Sequence, residues 1–209
     1  EGEEKNDPEF ARQLAGMADI YINEAFGVCH RNHASIVGVP AIFAHVEDPE
    51  HSRRAAGLHL EEEVNQLTKL IKNPLRPMVA IIGGAKLETK IPVIEAMAKV
   101  ADWVLVGGLV AKELRVESGK LKVDENKVIV AELTQDTKDI DDESIEKFRE
   151  IIKTAKTVVW NGPVGYFEGG FERGTLAIAQ AIIESGAYSV IGGGETTEFL
   201  GSKNLLDKF

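Results

Sequence analysis

Several features that mark other classes of protein are missing or scarce in this 209-residue sequence. Cys29 is the only cysteine, which excludes an intrachain disulfide and favours a reducing compartment, so we expect a cytoplasmic protein. No apolar run approaches the roughly 18 residues of a membrane-spanning helix. The segment Glu1-Gly2-Glu3-Glu4 does not resemble a signal peptide. We therefore expect no association with a membrane.

Basic residues are also in deficit. The chain has 24 Lys and Arg against 34 Asp and Glu, which gives a formal net charge of −10. A nucleic-acid-binding protein needs a basic face to neutralise phosphates, so this balance argues against that class. It does not exclude small anionic substrates, because a site can be locally basic on an acidic protein.

Glycine, in contrast, is abundant, with 20 residues. Four short apolar runs each end at glycine. They are Met78 to Ile82 before Gly83-Gly84, Trp103 to Val106 before Gly107-Gly108, Thr157 to Trp160 before Asn161-Gly162, and Tyr188 to Ile191 before Gly192-Gly193-Gly194. Such runs are typical of strands that are buried on both faces of a parallel sheet. Amphipathic stretches of helical period lie at 89–99, 144–155 and 174–185. The alternation predicts an α/β fold with a doubly wound parallel sheet.

The glycines indicate where a ligand could bind. In such sheets ligands occupy the crevice outside the carboxyl ends of the strands. A residue without Cβ lets backbone N–H groups approach a phosphate, and the next helix points its positive end at the anion. Glycine is also common in these connections for structural reasons alone, but its recurrence after four strands favours a ligand crevice. Neither a Walker A loop nor a Gly-x-Gly-x-x-Gly fingerprint follows any of the strands.

Two groups of polar residues follow these glycines. Lys86 and Lys90 are four residues apart, which places them on one side of a helix where they could bind phosphate or could simply be solvated. Glu195 and Thr196 could hold Mg²⁺ on a bound nucleotide. They would also suit the first turn of an ordinary helix, which by itself is the simpler interpretation.

Taken together, these segments resemble the phosphoglycerate kinase family along nearly the whole chain. The matching segments are Asn23-Glu24-Ala25-Phe26-Gly27, His30-Arg31-Asn32-His33-Ala34-Ser35, Gly83-Gly84-Ala85-Lys86, Trp160-Asn161-Gly162-Pro163-Val164-Gly165-Tyr166-Phe167-Glu168, Phe171-Glu172-Arg173-Gly174-Thr175 and Gly192-Gly193-Gly194-Glu195-Thr196. The Trp-Asn-Gly-Pro segment and the spacing of the whole set are highly specific.

The resemblance implies an enzyme that transfers a phosphoryl group reversibly between 1,3-bisphosphoglycerate and MgADP, giving 3-phosphoglycerate and MgATP. Carried over by motif, Arg31 contacts the acid, Lys90 follows the transferring phosphoryl group, and Glu168 binds the nucleotide ribose. The remaining implied nucleotide contacts are Lys86, Gly107, Gly108, Gly192, Gly193, Gly194, Glu195 and Thr196, with Glu195 on the magnesium. Phosphoryl transfer depends on positioned cations more than on acid–base groups, which suits these residue types.

The resemblance also implies a domain organisation. We expect residues 1–57 to form part of an N-terminal, phosphoglycerate-binding domain, residues 58–74 an interdomain helix, and residues 75–209 a C-terminal nucleotide-binding domain. Domain closure and a monomeric state are further expectations. The chain resembles the middle of the family sequence, without counterparts of its opening strands and final helix. The alternative function is therefore a nucleotide-binding remnant that does not turn over.

Some positions depart from the family pattern. Thr89 and Glu195 stand where the family has aspartate, and Leu109 replaces a third glycine. The segment 119–142 is shorter than the family pattern, so we expect part of the nucleotide floor to be altered or absent. We interpret His30 and His33 as polar anchors of the loop that presents Arg31, because a structural zinc site needs four ligands at characteristic spacing. We expect Cys29 to be a small packed residue.

Overall fold

A computed structural model describes residues 1–44, 54–116 and 125–209. The chain divides into two units, Glu1–Lys72 and Asn73–Phe209. In the described part of the chain, none of the helices is both long enough and apolar enough to cross a membrane.

The first unit is mainly helical with one pair of short parallel strands. Its elements are α1 (Pro8–Ala15), β1 (Tyr21–Asn23), a 3₁₀ turn (Phe26–Val28), a π-helical stretch (Ala34–Gly38), α2 (Val39–Ala44), β2 (Arg54–Ala56) and α3 (Leu58–Lys72). Helix α1 begins after Asp7, whose side chain accepts the N–H of Phe10 at 2.8 Å. Ala11, Ala34, Val39 and Phe43 form a small core.

The second unit is an α/β sheet structure. Its elements are β3 (Met78–Ile82), α4 (Leu87–Val100), β4 (Trp103–Val106), α5 (Gly108–Val116), β5 (Val128–Val130), α6 (Asp142–Thr154), β6 (Thr157–Asn161), α7 (Arg173–Ser185), β7 (Tyr188–Gly192) and α8 (Gly194–Ser202). The five strands pair in parallel in the order β5-β4-β3-β6-β7. The prediction of a parallel sheet with alternating helices is thereby confirmed.

The strand order explains why the sheet is doubly wound. The chain moves outward from β3 to β4 and β5, returns to β6 on the other side of β3, and then moves outward to β7. Because such crossovers are right-handed, α4 and α5 cover one face of the sheet and α6 and α7 the other. Each of these helix pairs is in contact. All five residues of the central strand β3 are at most 2% exposed, as expected for a strand covered on both faces.

The long helices predicted from the sequence are present in the structure, which also contains three short elements that the sequence does not predict. Helices predicted at 58–74, 89–99, 144–155 and 174–185 are present within a few residues of those limits. Helices α2 and α5 and strand β2 were not predicted. Helix α3 groups with the first unit, and the proposed division at 58–74 stays a prediction.

Candidate functional site

The direction of winding reverses between β3 and β6, and this is where a doubly wound sheet opens a crevice at its carboxyl edge. The loops at this edge are joined by backbone hydrogen bonds. Gly83 N–H donates to Asn161 O at 2.9 Å, and Gly84 N–H donates to Pro163 O at 2.9 Å. Gly108 N–H donates to Val164 O at 3.1 Å. The turns after β3, β4 and β6 therefore form one continuous edge.

Two of these glycines are required by close approach of the backbone. A Cβ on Gly83 would overlap the carbonyl oxygens of Gly162 and Pro163, and a Cβ on Gly162 would overlap the carbonyl of Gly83. Gly162 also has φ = +92°, a conformation that side chains other than hydrogen disfavour. The loops can thus touch only because both positions lack a side chain.

The edge carries a cleft of about 430 Å³. The residues that line it are Gly84, Ala85, Gly108, Leu109, Asp136, Thr137, Lys138, Pro163, Gly165, Tyr166, Glu168 and Glu195. Among the residues predicted for the site, Gly108, Glu168 and Glu195 line this cleft. The structure therefore brings together the turns after β3, β4, β6 and β7, as the recurrence of glycine indicated.

Lys90 lies on the first turns of α4 and is half-buried. Its Nζ donates to Asn161 Oδ1 at 2.5 Å, across 71 positions of sequence. Burial lowers the pKa of Lys90 below its ordinary value, and the negative charge of Glu195 partly opposes this change. The structure thus places a partly desolvated ammonium group beside the loop after β6 and in the field of the carboxylate after β7.

This lowered pKa predicts how anion binding will depend on pH. As the pH rises through the pKa of Lys90, the ammonium loses its proton and its attraction for phosphate. For the nucleotide site that the resemblance implies, affinity for ADP should therefore fall at a pH below the 10.5 of an ordinary lysine. A Lys90→Arg variant keeps its charge and should not show this decline. Titration of ADP at increasing pH measures both proteins, and parallel curves would contradict the assignment.

The amino terminus of α8 begins with exposed backbone. Gly193 (φ = +94°), Gly194 and Glu195 are exposed, and the Glu195 side chain lines the cleft. The hydroxyl of Thr196 is buried and accepts the N–H of Gly162 at 3.0 Å. Its side chain therefore joins α8 to the loop after β6, while the first backbone N–H groups of the helix are left for an anion.

Three other predicted residues occupy different surroundings. Lys86 is exposed at the cap position before α4 and is not part of the cleft lining. Gly107 is buried, and a Cβ there would overlap the side chain of Val164. Gly192 ends β7 and pairs with Asn161. The sequence motif thus includes positions that shape the edge as well as positions that face the cleft.

The segment expected to alter the nucleotide floor contributes directly to the cleft. Residues 119–124 lie outside the described residues, whereas residues 125–142 contain β5 and a closed turn. In this turn, Thr134 N–H donates to Asp139 O at 2.9 Å, and Thr134 Oγ1 donates to Asp136 Oδ1 at 2.7 Å. Asp136, Thr137 and Lys138 line the cleft, a contribution that the sequence reasoning missed.

Two apolar side chains in the cleft lining are also exposed. Leu109 is 41% exposed, so the residue that replaces the family glycine does project toward the cleft. Tyr166 is 55% exposed and was not predicted as a site residue. Its signal in the sequence was an aromatic residue directly after the Trp-Asn-Gly-Pro-Val-Gly segment.

Arg31 belongs to the first unit and is exposed. The loop that carries it is tied to the N-terminal segment: Asn6 Nδ2 donates to Asn32 Oδ1 at 3.0 Å, and the carboxylate of Glu3 accepts the N–H of Ser35 at 3.0 Å. His33 Nδ1 lies 3.8 Å from the same carboxylate. His33 therefore lies beside the carboxylate that holds this loop, and its role as an anchor stays a prediction. Cys29 is exposed, so the expectation of a packed cysteine is wrong.

The second unit is thus a doubly wound α/β structure whose cleft combines glycine turns with the first turn of a helix, and a half-buried lysine, Lys90, lies near the same edge, beside Asn161. These are the elements with which such folds bind phosphate groups. The model of the family "Phosphoglycerate kinase" matches residues 1–137 and 112–209. The chain belongs to the phosphoglycerate kinase family.

Curated relatives agree with this assignment. The chain is 38% identical over 246 residues to a phosphoglycerate kinase of Solibacter usitatus and 40% identical over 250 residues to one of Rhodopirellula baltica. Each match covers 99% of this chain and 61% or 62% of the relative, so the chain spans about three fifths of the relatives' length. Both aligned stretches exceed the 209 residues of this chain. The relatives therefore contain residues within the aligned stretches that have no counterpart here.

Solved structures give the same fold. The phosphoglycerate kinase of Coxiella burnetii superposes with a TM-score of 0.74 at 30% sequence identity, covering 100% of this chain and 63% of that one. The enzyme of Pyrococcus horikoshii OT3 superposes with a TM-score of 0.69 at 24% identity, covering 93% and 60%. The second similarity supports the fold alone.

Proposed function

We propose that this chain serves in the reversible transfer of a phosphoryl group between 1,3-bisphosphoglycerate and MgADP, with 3-phosphoglycerate and MgATP as products. The observation that carries the proposal is the cleft at the carboxyl edge of the second sheet. Residues from the turns after four strands line it, Glu195 at the amino terminus of α8 is among them, and Lys90 lies near the same edge, bonded to Asn161. Membership of the phosphoglycerate kinase family supplies the reaction class.

In this proposal the nucleotide occupies the cleft of the second unit. Its phosphates lie at the amino terminus of α8, where Gly193 and Gly194 are exposed and the helix dipole favours negative charge. Glu168 accepts hydrogen bonds from ribose hydroxyls, and Gly108 leaves room for the base. Lys86 supports the phosphates from the cap of α4.

Lys90 has the central role in the transfer. Charge spreads over the equatorial oxygens of the phosphoryl group as it moves, and a fixed cation stabilises that state without reorganising at the moment of reaction. Lys90 is partly desolvated, which strengthens its attraction for a phosphoryl oxygen. Asn161 holds the ammonium in place at 2.5 Å until a phosphate oxygen replaces the amide as its partner.

The residues present fit a magnesium ion that arrives with the nucleotide. Mg²⁺ prefers one or two carboxylates together with phosphate oxygens and water. Glu195 offers one exposed carboxylate in the cleft, on the first turn of the helix proposed to bind the phosphates. Glu195 would therefore hold the metal through its nucleotide complex, and the ion would neutralise phosphate charge.

Arg31 is the proposed contact for the acid. Its guanidinium is exposed and can bind a carboxylate or phosphate with two parallel hydrogen bonds. The loop around it is held by Glu3 and Asn6, so the arginine is presented from a fixed backbone.

A second candidate is a protein that binds MgADP without turnover. Its support is that the resemblance implies one acid contact in this chain, Arg31, whereas residues after four strands of one unit line the nucleotide cleft. Leu109 in the cleft lining adds a side chain where the family pattern has glycine.

Calorimetric titration of the 209-residue chain with ADP, with and without Mg²⁺, followed by assay with 3-phosphoglycerate and ATP, tests both candidates. The first predicts micromolar binding that Mg²⁺ changes, together with turnover. The second predicts the same binding without turnover. A Glu195→Gln variant should lose the effect of Mg²⁺ and keep binding to free ADP. A folded chain that fails to bind ADP would contradict both candidates.

A further inference from the structure

Asp139 is a buried acid that the proposed chemistry does not use. Only 6% of the residue is exposed, although it directly follows Asp136, Thr137 and Lys138 in the cleft lining. Buried carboxylates are rare unless their oxygens find partners. Its burial therefore depends on the hydrogen bonds that its carboxylate accepts.

Both carboxylate oxygens of Asp139 accept backbone hydrogen bonds. Oδ1 accepts the N–H of Ile140 and Oδ2 accepts the N–H of Gly174, each at 2.9 Å. Gly174 lies in the first turn of α7, 35 positions away. The side chain thus fastens the turn of residues 134–139, here named the rim turn, to the start of a sheet-covering helix.

The surroundings are shaped to admit this carboxylate. A Cβ on Gly165 or on Gly174 would overlap Asp139 Oδ1. Gly165 itself lines the cleft. Asp139 therefore fills the space where the rim turn, the segment 165–168 and α7 meet.

A backbone hydrogen bond continues this connection into the cleft. Tyr166 N–H donates to Lys138 O at 2.7 Å, and Lys138 Nζ lies 4.4 Å from the centre of the Phe171 ring. The rim turn and the segment 165–168 supply six residues of the cleft lining, namely Asp136, Thr137, Lys138, Gly165, Tyr166 and Glu168. The carboxylate of Asp139 lies between the rim turn and Gly165, where these two groups of lining residues meet.

We propose that Asp139 is a positioning residue of the nucleotide site, which holds the rim turn against the segment 165–168 so that both meet a nucleoside diphosphate in a fixed arrangement. This inference rests on the proposed nucleotide function of the cleft. Preorganisation of this kind raises affinity because less ordering is needed when the ligand binds.

Burying the Asp139 carboxylate costs free energy, and its two backbone hydrogen bonds offset part of that cost. Burial raises the pKa of Asp139 above its ordinary value, and the N–H groups of Gly174 and Ile140 oppose the change. Asparagine has a single acceptor oxygen and a donating NH₂ group, so Asp139→Asn sets one donor against a backbone N–H. The substitution therefore breaks one of the two attachments with almost no change in volume.

The second unit offers a matched control in Asp102. Its Oδ2 accepts the N–H of Met78 at 2.7 Å and its Oδ1 accepts from Arg76 at 2.6 Å. It precedes β4, at the amino edge of the sheet and opposite the cleft. Asp102→Asn removes a comparable attachment without touching the cleft.

The experiment compares Asp139→Asn, Asp102→Asn and the unaltered chain by ADP titration and amide hydrogen exchange. For Asp139→Asn we expect an ADP Kd raised about tenfold and about tenfold faster exchange at Tyr166 and Gly174, with kcat within twofold wherever turnover is measured. For Asp102→Asn we expect faster exchange at Met78 and an unchanged Kd. Equal Kd values for the two variants would overturn the positioning role.

The experiment also distinguishes a failure of the proposed function from a failure of this inference. An unaltered chain that does not bind ADP overturns the proposed function and this inference with it, whereas faster exchange without a change in Kd overturns the inference alone. Should Asp139→Asn not fold, Thr134→Val replaces it. That variant loosens the rim turn by removing the hydroxyl bonded to Asp136, and it should raise the Kd about threefold. An unchanged Kd in Thr134→Val would then count against the proposal.

Discussion

Replacing Lys90 with methionine should lower the rate of phosphoryl transfer about a thousandfold, because removal of one preorganised charge-stabilising group costs roughly 10²–10³ in rate and Lys90 carries a full charge. ADP affinity should fall far less, since the amino terminus of α8 and the glycine turns remain. Single-turnover rates and calorimetric Kd values separate the two effects. A loss of affinity as large as the loss of rate would show that Lys90 acts in ground-state binding alone.

The same variant should be no less stable than the unaltered chain. Burial lowers the pKa of Lys90, so the charged form is disfavoured in the folded state and folding becomes more favourable as the pH rises toward 10.5. Methionine keeps the apolar stem without that charge. Lys99→Met, at an exposed position near the end of α4, is the control, and it should change neither rate nor melting temperature. A melting temperature several degrees lower for Lys90→Met alone would contradict this account of the burial.

Gly83→Ala should have the largest effect on stability. A methyl group at this position would overlap the carbonyl oxygens of Gly162 and Pro163, which are backbone atoms fixed by the central strands. Overpacking of a well-packed core costs about 1–3 kcal/mol, and the rigid neighbours place this site at the upper end, near 3 kcal/mol. Denaturant unfolding of the chain measures the change. ADP binding should be lost as well, because the turns after β3 and β6 would separate.

Gly194→Ala is the matched comparison for this effect. Its Cβ would meet no atom within 4 Å, and the residue is the first of helix α8. Alanine in a helix is favoured over glycine by roughly 0.5–1 kcal/mol, so stability should stay the same or rise slightly. Equal losses of stability in Gly83→Ala and Gly194→Ala would disprove the steric explanation.

The sequence by itself determined four strands of the five-stranded sheet and the position of the site in the fold. The run Met78 to Ile82 is apolar throughout because β3 is covered on both faces, and this pattern is visible locally. The same holds for the glycines after each strand, since the requirement for a residue without Cβ leaves a mark on the sequence. The cleft at the carboxyl edge could therefore be predicted, and so could Glu195 at the start of α8.

Other features left no local mark. Strand β2 has only three residues, and it exists because Arg54, Ala55 and Ala56 pair with Tyr21, Ile22 and Asn23. Helix α5 begins at Gly108, whose φ of +67° is typical of a turn. The local sequence therefore indicates a turn at this position and not the start of a helix. In both cases the residues that stabilise the element lie elsewhere in the chain, so tertiary contacts outweigh local propensity.

Only the tertiary structure decided which polar side chains face the cleft and which hold it together. Lys90 meets Asn161 across 71 positions, Thr196 meets Gly162 across 34, and Asp139 meets Gly174 across 35. From the sequence, Thr196 is predicted to contact the nucleotide or its magnesium, whereas Asp139 is not predicted to have a role. Folding buries both, because a hydroxyl or carboxylate whose hydrogen bonds are satisfied by distant backbone N–H groups is stable where water is excluded.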